Sequence, residues 1–385
     1  MKSILIVDLA TYIPQGTIGG VEIVIVNMAK VLAGAGYHVT VLNSIESSEQ
    51  EALVNSNNID CVSMNMAAGT ELRYKVLKRL VNVFGTTIPS RYYYNNRVLQ
   101  KVKALFNTEH FNLIISNRLD DLPLLLTANK AQLPLIQMLH GNPQWAMAYW
   151  HGLRKGIGVS LKKVSLLQVL LPSYAKDMRQ VYAGDICVIP NTVQLVSDEE
   201  LSTSTKRKQR IIYVARYARE KRLELLIEAF EKIAGKFPAW YVDCYGTTTD
   251  KGYVNELQKE INRRGLHRQF VLQGYNDDVY TINKQAAICA FPSAGEGFGL
   301  ALLEAMTCGL PIVGFKQARG VNEIIIDNVN GFLVADVQEL AAKLSLLMED
   351  AELRVKMGYE AHASAKKICC WCSVAAVAED NREIC

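Results

Sequence analysis

Two cations follow an apolar run in the second half of the chain. Arg216 and Lys221 come directly after residues 211–215, Ile-Ile-Tyr-Val-Ala, which have the composition of a buried strand. The carboxyl end of a parallel strand is the edge at which ligands bind. Arg supplies a planar fork of donors and Lys a compact charge, so the two can hold a diphosphate from two directions. A charged loop in this position is more often simply solvated, and that alternative stays open on this motif alone.

Two glutamates frame a glycine-rich turn further along. Glu296 precedes Gly297-Phe298-Gly299-Leu300, and Glu304 lies inside the apolar helix that these residues begin. The glycines let a ligand approach the backbone, and a helix start offers free N–H groups to a phosphate. A carboxylate among Leu and Met residues is costly unless it has partners, and sugar hydroxyls are suitable ones. The alternative for Glu304 is the solvent-facing side of an amphipathic helix.

The first half carries weaker candidates. His140 follows the apolar run 133–139 and is expected at the carboxyl end of a strand, although a lone His is more often structural. Gly19 and Gly20 lie in the first loop without the spacing G-x-G-x-x-G, so a dinucleotide cofactor is not supported. These glycines are expected to let the backbone approach the diphosphate or the acceptor.

No cofactor and no metal are predicted. Asp-x-Asp, the carboxylate pair with which many sugar transferases hold a divalent metal, does not occur in the sequence. A diphosphate would instead be neutralised by Arg216, Lys221 and the dipole of the helix after Gly299.

These residues belong to two halves that begin with the same pattern. A strand at 4–9, a glycine-rich turn, a helix from Val21 and a strand at 39–42 form one βαβ unit, and the pattern restarts at 211–215. The polar run 197–208 is the predicted linker. The fold class is therefore α/β, with two domains at 1–195 and 206–369. Further strands are predicted at 112–115, 133–139, 166–171, 240–244, 270–272, 287–291 and 311–313.

The charge distribution and the hydropathy of the sequence narrow the classes of binding partner and the expected location of the protein. The net charge of +4 argues against a nucleic-acid binder. Residues 1–190 carry 18 Lys+Arg and 12 Asp+Glu, which indicates either an anionic partner or a solvated face. Cations beside apolar residues at 73–84 and 91–103 suit an anionic membrane surface, and an ordinary amphipathic helix explains them nearly as well. Without a signal peptide or a membrane-spanning run, the expected location is cytoplasmic, or peripheral on the inner face of the cytoplasmic membrane.

Taken together, the motifs resemble the retaining glycosyltransferases of family 4, which have the GT-B fold. The resemblance is carried by Arg216 and Lys221 five positions apart and by Glu296 and Glu304 eight positions apart. It implies two Rossmann-like domains facing a central cleft, with a last helix, 370–385, packing back on the first domain. Ala215 replaces the usual Gly, which removes no charged group. Matching segments are 189–191, 311–313, 323–325 and 330–334.

The resemblance also implies residue roles. Arg216 and Lys221 would hold the distal phosphate of a nucleotide-sugar donor, and His140 would lie beside the sugar. Glu296 would bind the sugar hydroxyls and Glu304 the ribose hydroxyls. The backbone around Gly274 and Tyr275 would meet the base.

The implied reaction is transfer of a hexose-type sugar, with retention, from a UDP- or GDP-type donor to a hydroxyl. The acceptor would be a saccharide or a lipid-linked saccharide in cell-surface polysaccharide synthesis. A nucleotide-sugar epimerase and a non-catalytic nucleotide-sugar binding protein are the alternatives. A phosphorylase would need a pyridoxal-bearing Lys, and no sequence feature marks one.

Overall fold

The structure is a computed structural model that describes residues 2–9, 20–43, 58–64, 96–144, 147, 159–203, 207–248 and 250–369. The chain divides into two units between Pro190 and Asn191. The predicted last helix, 370–385, lies outside the described residues, as do Gly19 and most of the basic segments 73–84 and 91–103.

The first unit is built on a parallel sheet of seven strands in the order β3-β2-β1-β4-β5-β6-β7. The order reverses between β1 and β4, which makes their carboxyl ends the switch point where ligands bind in such sheets. The strands are β1 (Ser3–Asp8), β2 (His38–Asn43), β3 (Ile59–Ser63), β4 (Leu113–Ser116), β5 (Leu135–Met138), β6 (Leu166–Val169) and β7 (Ile186–Val188). The described helices are α1 (Gly20–Gly34), α2 (Asn96–Thr108), α3 (Leu122–Ala128) and α4 (Pro172–Met178).

The central strands of this sheet are buried on both faces. Ile4 to Val7 of β1 are at most 1% exposed, as expected of a continuous apolar run in a parallel sheet. Helix α1 covers them with residues at helical spacing, Val24, Ile25, Met28 and Leu32. It ends before Gly36, whose φ of +90° lets the chain turn back into β2.

The second unit has a parallel sheet of six strands in the order β10-β9-β8-β11-β12-β13. Its order reverses between β8 and β11, the two strands that precede the charged motifs. The strands are β8 (Arg210–Val214), β9 (Tyr241–Tyr245), β10 (Phe270–Gly274), β11 (Ile288–Phe291), β12 (Ile312–Phe315) and β13 (Gly331–Val334). The described helices are α5 (Asp198–Thr203), α6 (Leu223–Ala234), α7 (Lys251–Arg263), α8 (Val279–Gln285), α9 (Leu300–Thr307), α10 (Val337–Glu349) and α11 (Ala351–Ile368).

The predicted linker is not where the chain divides. Residues 198–203 form α5, which belongs to the second unit. The Ser197 hydroxyl accepts from the Glu200 N–H at 3.2 Å while the Glu200 carboxylate accepts from the Ser197 N–H at 3.2 Å, a reciprocal helix cap. Asp198 accepts from Lys366 at 2.6 Å and from His362 at 3.1 Å, both on α11. Ser197, Asp198 and Glu200 of this run therefore cap and anchor a helix.

Candidate functional site

Lys221 and Glu296 meet at the carboxyl edge of the second sheet. The Lys221 Nζ lies 2.6 Å from both carboxylate oxygens of Glu296, although the residues are 75 positions apart. The two side chains are only 13% and 10% exposed. Beside them, the Ala294 N–H donates to the Glu220 carbonyl at 2.9 Å. The loops after β8 and β11 are thus joined through a charge pair that water hardly screens.

Arg216 stands at the same edge and is much more accessible. Its side chain is 66% exposed, and its Nη2 lies 3.3 Å from the Glu220 carboxylate. An exposed pair four residues apart contributes little to stability, so the guanidinium is available to another anion.

The loops after β8, β9 and β10 are tied together around Arg216. The Tyr217 phenol donates to the Cys244 carbonyl at 2.6 Å and accepts from the Gly274 N–H at 3.3 Å. A Cβ on Gly246 would lie 1.9 Å from the Ala215 carbonyl oxygen, so only glycine fits there. Gly246 was missed by sequence reasoning, although a glycine directly after an apolar strand is a signal for such an approach.

Gly274 and Tyr275, expected near the base, lie at the end of β10. Gly274 has φ +79°, and a Cβ there would meet no atom within 4 Å. Tyr275 is 52% exposed. An exposed aromatic ring next to an unobstructed backbone is a surface on which a flat heterocycle can stack.

Helix α9 begins directly beside Glu296. Its first turn has no side-chain cap, and the cap residue Gly299 is left-handed with φ +89°. A Cβ on Gly299 would lie 3.8 Å from Cγ of Glu296, which shows how closely the helix start and the carboxylate approach. Phe298 is buried and fixes the turn in the core, while Gly297 and Leu300 are half-buried. The uncapped N–H groups at the start of α9, which carry the positive end of the helix dipole, therefore lie beside Glu296.

Glu304 lies one turn into α9 and is half-buried, so the solvent-facing alternative does not hold. Within the described residues its carboxylate has no hydrogen bond or ion pair, and burial raises its pKa to about 7. The cause is loss of water around the charged form. A carboxylate in this condition is suited to accept hydrogen bonds from a ligand.

His140 lies in the first unit, one residue beyond the Leu139 that follows β5. Its Nε2 is 2.8 Å from Oδ1 of Asn117. The Asn117 amide donates through Nδ2 to the Val7 carbonyl at 3.2 Å, which leaves Oδ1 to accept from the ring. His140 therefore carries its proton on Nε2. Burial lowers the pKa of His140 to about 4, and the nearby charges of Asp8 and Arg118 act in opposite directions.

A partly buried charge cluster lies near this histidine and was not predicted. Arg118, after β4, pairs with Asp8 at the end of β1 and lies 3.4 Å from Glu22 of α1. Asp121 accepts from the Leu9 N–H at 3.0 Å, and its full burial raises its pKa to about 8. The available signal was the polar run 116–121 directly after the apolar run of β4.

Two family models match successive parts of the chain. The model Glycosyltransferase Family 4 matches residues 18–196, and the model Glycosyl transferases group 1 matches residues 198–364. The chain belongs to glycosyltransferase family 4. The resemblance to family 4 and the predicted α/β, GT-B fold class are thereby confirmed.

Curated relatives match this family 4 chain in part. A poly(glycerol-phosphate) alpha-glucosyltransferase of Bacillus subtilis is 26% identical over 180 residues, 46% of this chain and 26% of that protein. A poly(ribitol-phosphate) alpha-N-acetylglucosaminyltransferase of Staphylococcus aureus is 29% identical over 151 residues, 39% of this chain and 30% of that protein. The match thus spans less than a third of the length of either relative.

A solved structure matches the family 4 chain almost end to end. The Anabaena protein HepE, solved with UDP and glucose, has a TM-score of 0.74 and 21% identity over 98% of this chain and 99% of its own. At this identity the likeness shows the fold, which is GT-B.

The predicted site residues of this family 4 chain fall into two groups. In the second unit, Lys221, Glu296 and the start of α9 are in contact, and Tyr217 ties the Arg216 loop to Gly274. His140 and Gly20, the exposed first residue of α1, belong to the first unit. Across the described ranges, no three His, Cys, Asp or Glu side chains come together as metal ligands would. Metal independence stays a prediction.

Among the residues that the structure describes, no helix is both long and apolar enough to cross a bilayer.

Proposed function

We propose that this chain transfers a hexose-type sugar, with retention, from a nucleotide-diphosphate donor to a hydroxyl of a saccharide or lipid-linked saccharide. The observation that carries the proposal is the Lys221–Glu296 pair, with both distances 2.6 Å, beside the uncapped start of α9 at the strand switch point. A cation, a carboxylate and a helix start in one place suit a ligand that has both a phosphate and sugar hydroxyls.

The donor diphosphate would bind Lys221 in place of Glu296. Without donor, Glu296 neutralises this buried ammonium. When the donor binds, a phosphate oxygen replaces Glu296 as the partner of Lys221, and the freed carboxylate accepts from sugar hydroxyls. Arg216, being exposed, reaches the same phosphate from the solvent side. Glu304 would accept from the ribose hydroxyls, and the base would stack near Tyr275.

The chemistry follows from where negative charge develops. The bond from the sugar C1 to the phosphate oxygen breaks, and its electron pair remains on the phosphate. Lys221, Arg216 and the N–H groups of α9 stabilise that charge, which is where a protein lowers the barrier most. The acceptor oxygen then bonds to C1 from the same face, and its proton passes to the departing phosphate oxygen. His140, neutral and held by Asn117, would lie beside the sugar without adding a positive charge.

The acceptor is proposed to bind the first unit. Two relatives are named for transfer onto poly(glycerol-phosphate) and poly(ribitol-phosphate), which favours an acceptor from cell-surface polymer synthesis here as well. Cytoplasmic location and association with an anionic membrane surface belong to this proposal. Flotation of the protein with vesicles of anionic lipid tests the membrane part, and no binding at low salt would remove it.

The central test is donor consumption with and without an acceptor extract. Purified protein is incubated with UDP-glucose, UDP-N-acetylglucosamine or GDP-mannose, and released nucleotide is measured by chromatography. We expect release from one donor to rise with the extract, and proton NMR of the product to show the anomeric configuration of the donor. Conversion of a donor sugar without acceptor would indicate the epimerase instead. Tight binding without any turnover would indicate the non-catalytic binder.

The matched variant is Arg216→Ala. We expect turnover to fall about 100-fold, because a donor to the developing charge is lost, while the melting temperature hardly changes. Lys236→Ala is the control, since Lys236 is an exposed cation paired with Glu349 on α10. If R216A kept the turnover of K236A, the role assigned to Arg216 would be wrong.

A further inference from the structure

Arg222 has a backbone conformation that disfavours an arginine. It precedes α6 with φ +50° and ψ +42°, in the left-handed region. Side chains other than Gly, Asn and Asp are rare there, because Cβ comes too close to the following carbonyl oxygen. Glycine would take this conformation without strain. An arginine in this conformation therefore calls for a function of its side chain.

The Arg222 side chain joins three segments of the second unit. Its Nε donates to the Pro292 carbonyl at 2.9 Å, and its Nη2 donates to the Ser293 carbonyl at 2.9 Å. The guanidinium also lies over the ring of Phe315 in β12, 4.6 Å from its centre. Two parallel N–H groups on two successive carbonyls need the planar fork of an arginine, which neither glycine nor lysine can supply.

The two carbonyls belong to the turn that leads into Glu296. Pro292 and Ser293 follow β11, and the Glu296 N–H donates to the Arg319 carbonyl at 2.8 Å. The residue after Ser293 is bonded to the β8 loop as well, because the Ala294 N–H donates to the Glu220 carbonyl. Lys221 lies between Glu220 and Arg222, so the residues on both sides of it are bonded to the loop that carries Glu296.

We propose that Arg222 is a positioning residue, which clamps the turn 292–293 to the β8 loop and thereby holds Glu296 against Lys221. A glycine would relieve the strained backbone at position 222, but it would also remove the two hydrogen bonds of the clamp. The clamp itself is a property of the unit, whereas its effect on turnover rests on the function proposed above.

The test compares Arg222→Gly with Gln132→Gly in the full chain. Gln132 is also left-handed, with φ +52°, but it is exposed, and its side chain makes no hydrogen bond among the described residues. Both changes relieve backbone strain, and only R222G removes a clamp. Hydrogen exchange followed by mass spectrometry reports on peptides covering 292–299. We expect exchange there to be about tenfold faster in R222G and unchanged in Q132G.

Kinetics supply the second measurement. We expect R222G to raise the donor KM and to lower kcat, each about tenfold, because a small displacement of a catalytic group is costly. Acceptor KM should stay as in the wild type. Arg222→Lys keeps the charge and loses the fork, so it should rescue little of either effect.

The outcomes separate the two proposals. If R222G exchanged and turned over like Q132G, the clamp would be disproved. If no variant or wild type turned over any donor, the function would fail, and faster exchange confined to 292–299 would still support the clamp. If R222G exchanged faster throughout the chain, R222K would decide: a local increase at 292–299 supports the clamp, and no increase overturns it.

Discussion

The two units place very different chemistry at the same position of the same topology. At the switch point of the second sheet, Lys221 and Glu296 form a pair beside a helix start, and Arg216 is exposed. At the switch point of the first sheet, Arg118 is already held by Asp8 and Glu22, Asp121 is buried and His140 is half-buried. The carboxyl edge of the second sheet, the second edge, therefore has an exposed cation, Arg216, to offer to an anion. At the carboxyl edge of the first sheet, the first edge, Arg118 is held between two carboxylates.

The difference shows that two sheets with the same switch-point topology can carry different binding chemistry. The strand order determines where loops converge, and the loop residues determine which ligand can bind. In the proposed function, the anionic donor binds the second edge. In the same proposal, the acceptor binds the first edge, where the histidine is neutral and Arg118 is already paired with carboxylates.

The largest effect should come from breaking the charged pair of the second edge. Lys221→Ala removes a cation from the developing phosphate charge and leaves Glu296, which is 8% exposed, without its ammonium. We expect turnover to fall about 1000-fold and stability to fall by about 3 kcal/mol. Steady-state kinetics and denaturant unfolding measure the two effects, and K236A is again the control.

A second variant separates catalysis from folding in this pair. In Lys221→Ala combined with Glu296→Gln, no charge remains buried, so stability should return while activity does not. Recovery of turnover in the double variant would mean that the pair is structural, and the contrast between the two edges would lose its basis.

The protonation state of Asp121 tests the description of the first edge. Its folded pKa is about 8, above the ordinary value of 3.8, so the protonated form is favoured by folding. Stability from this group is complete below about pH 4 and is lost as the pH rises through 8. Between pH 5 and pH 7 we expect the first unit to lose about 3 kcal/mol in the wild type. Asp121→Asn should remove this dependence.

The measurement for Asp121 is hydrogen exchange of peptides from β1 and β4, corrected for the intrinsic effect of pH. Asp120→Asn is the control, because Asp120 lies in the same turn and is half-buried rather than fully buried. If D121N and wild type lost protection equally between pH 5 and pH 7, the carboxyl of Asp121 would be ionised in the fold and the first edge would not be neutral.

Much of the second edge could be predicted because its information is local. Strand β8 was predicted at 211–215 and is Arg210–Val214, and β11 was predicted at 287–291 and is Ile288–Phe291. Both are unbroken apolar runs that end in charged or glycine-rich loops, so the strand and the loop are visible together. Strands β3 and β7 were not predicted. Both lie at the edges of the sheet; β3 is largely half-buried and β7 has only three residues, so neither forms a long apolar run.

Long-range contacts could not be predicted in the same way. The ammonium of Lys221 meets Glu296 because β8 and β11 are neighbours in the sheet, which no local pattern reveals. Asp121 is buried through its bond to Leu9, 112 positions away. The polar composition of 197–208 predicts a linker, although Ser197 and Glu200 have the spacing of a helix cap. The partners of Asp198 on α11 are distant in sequence and leave no local signal.

The smallest predicted effect concerns Glu304 and tests whether its carboxylate binds the proposed donor at the second edge. Its pKa is about 7 in the absence of donor, whereas a carboxylate that accepts from two ribose hydroxyls must be ionised. Donor binding therefore favours the ionised form, and the donor Kd should fall about tenfold as the pH rises from 6 to 8. Glu304→Gln cannot ionise, so its Kd should be independent of pH and weaker than that of the wild type at pH 8. Calorimetry with an intact nucleotide sugar, whose diphosphate does not titrate in this range, measures both proteins. A wild-type Kd that stayed constant from pH 6 to pH 8 would show that Glu304 does not grip the donor, and the second edge would then hold it by charge alone.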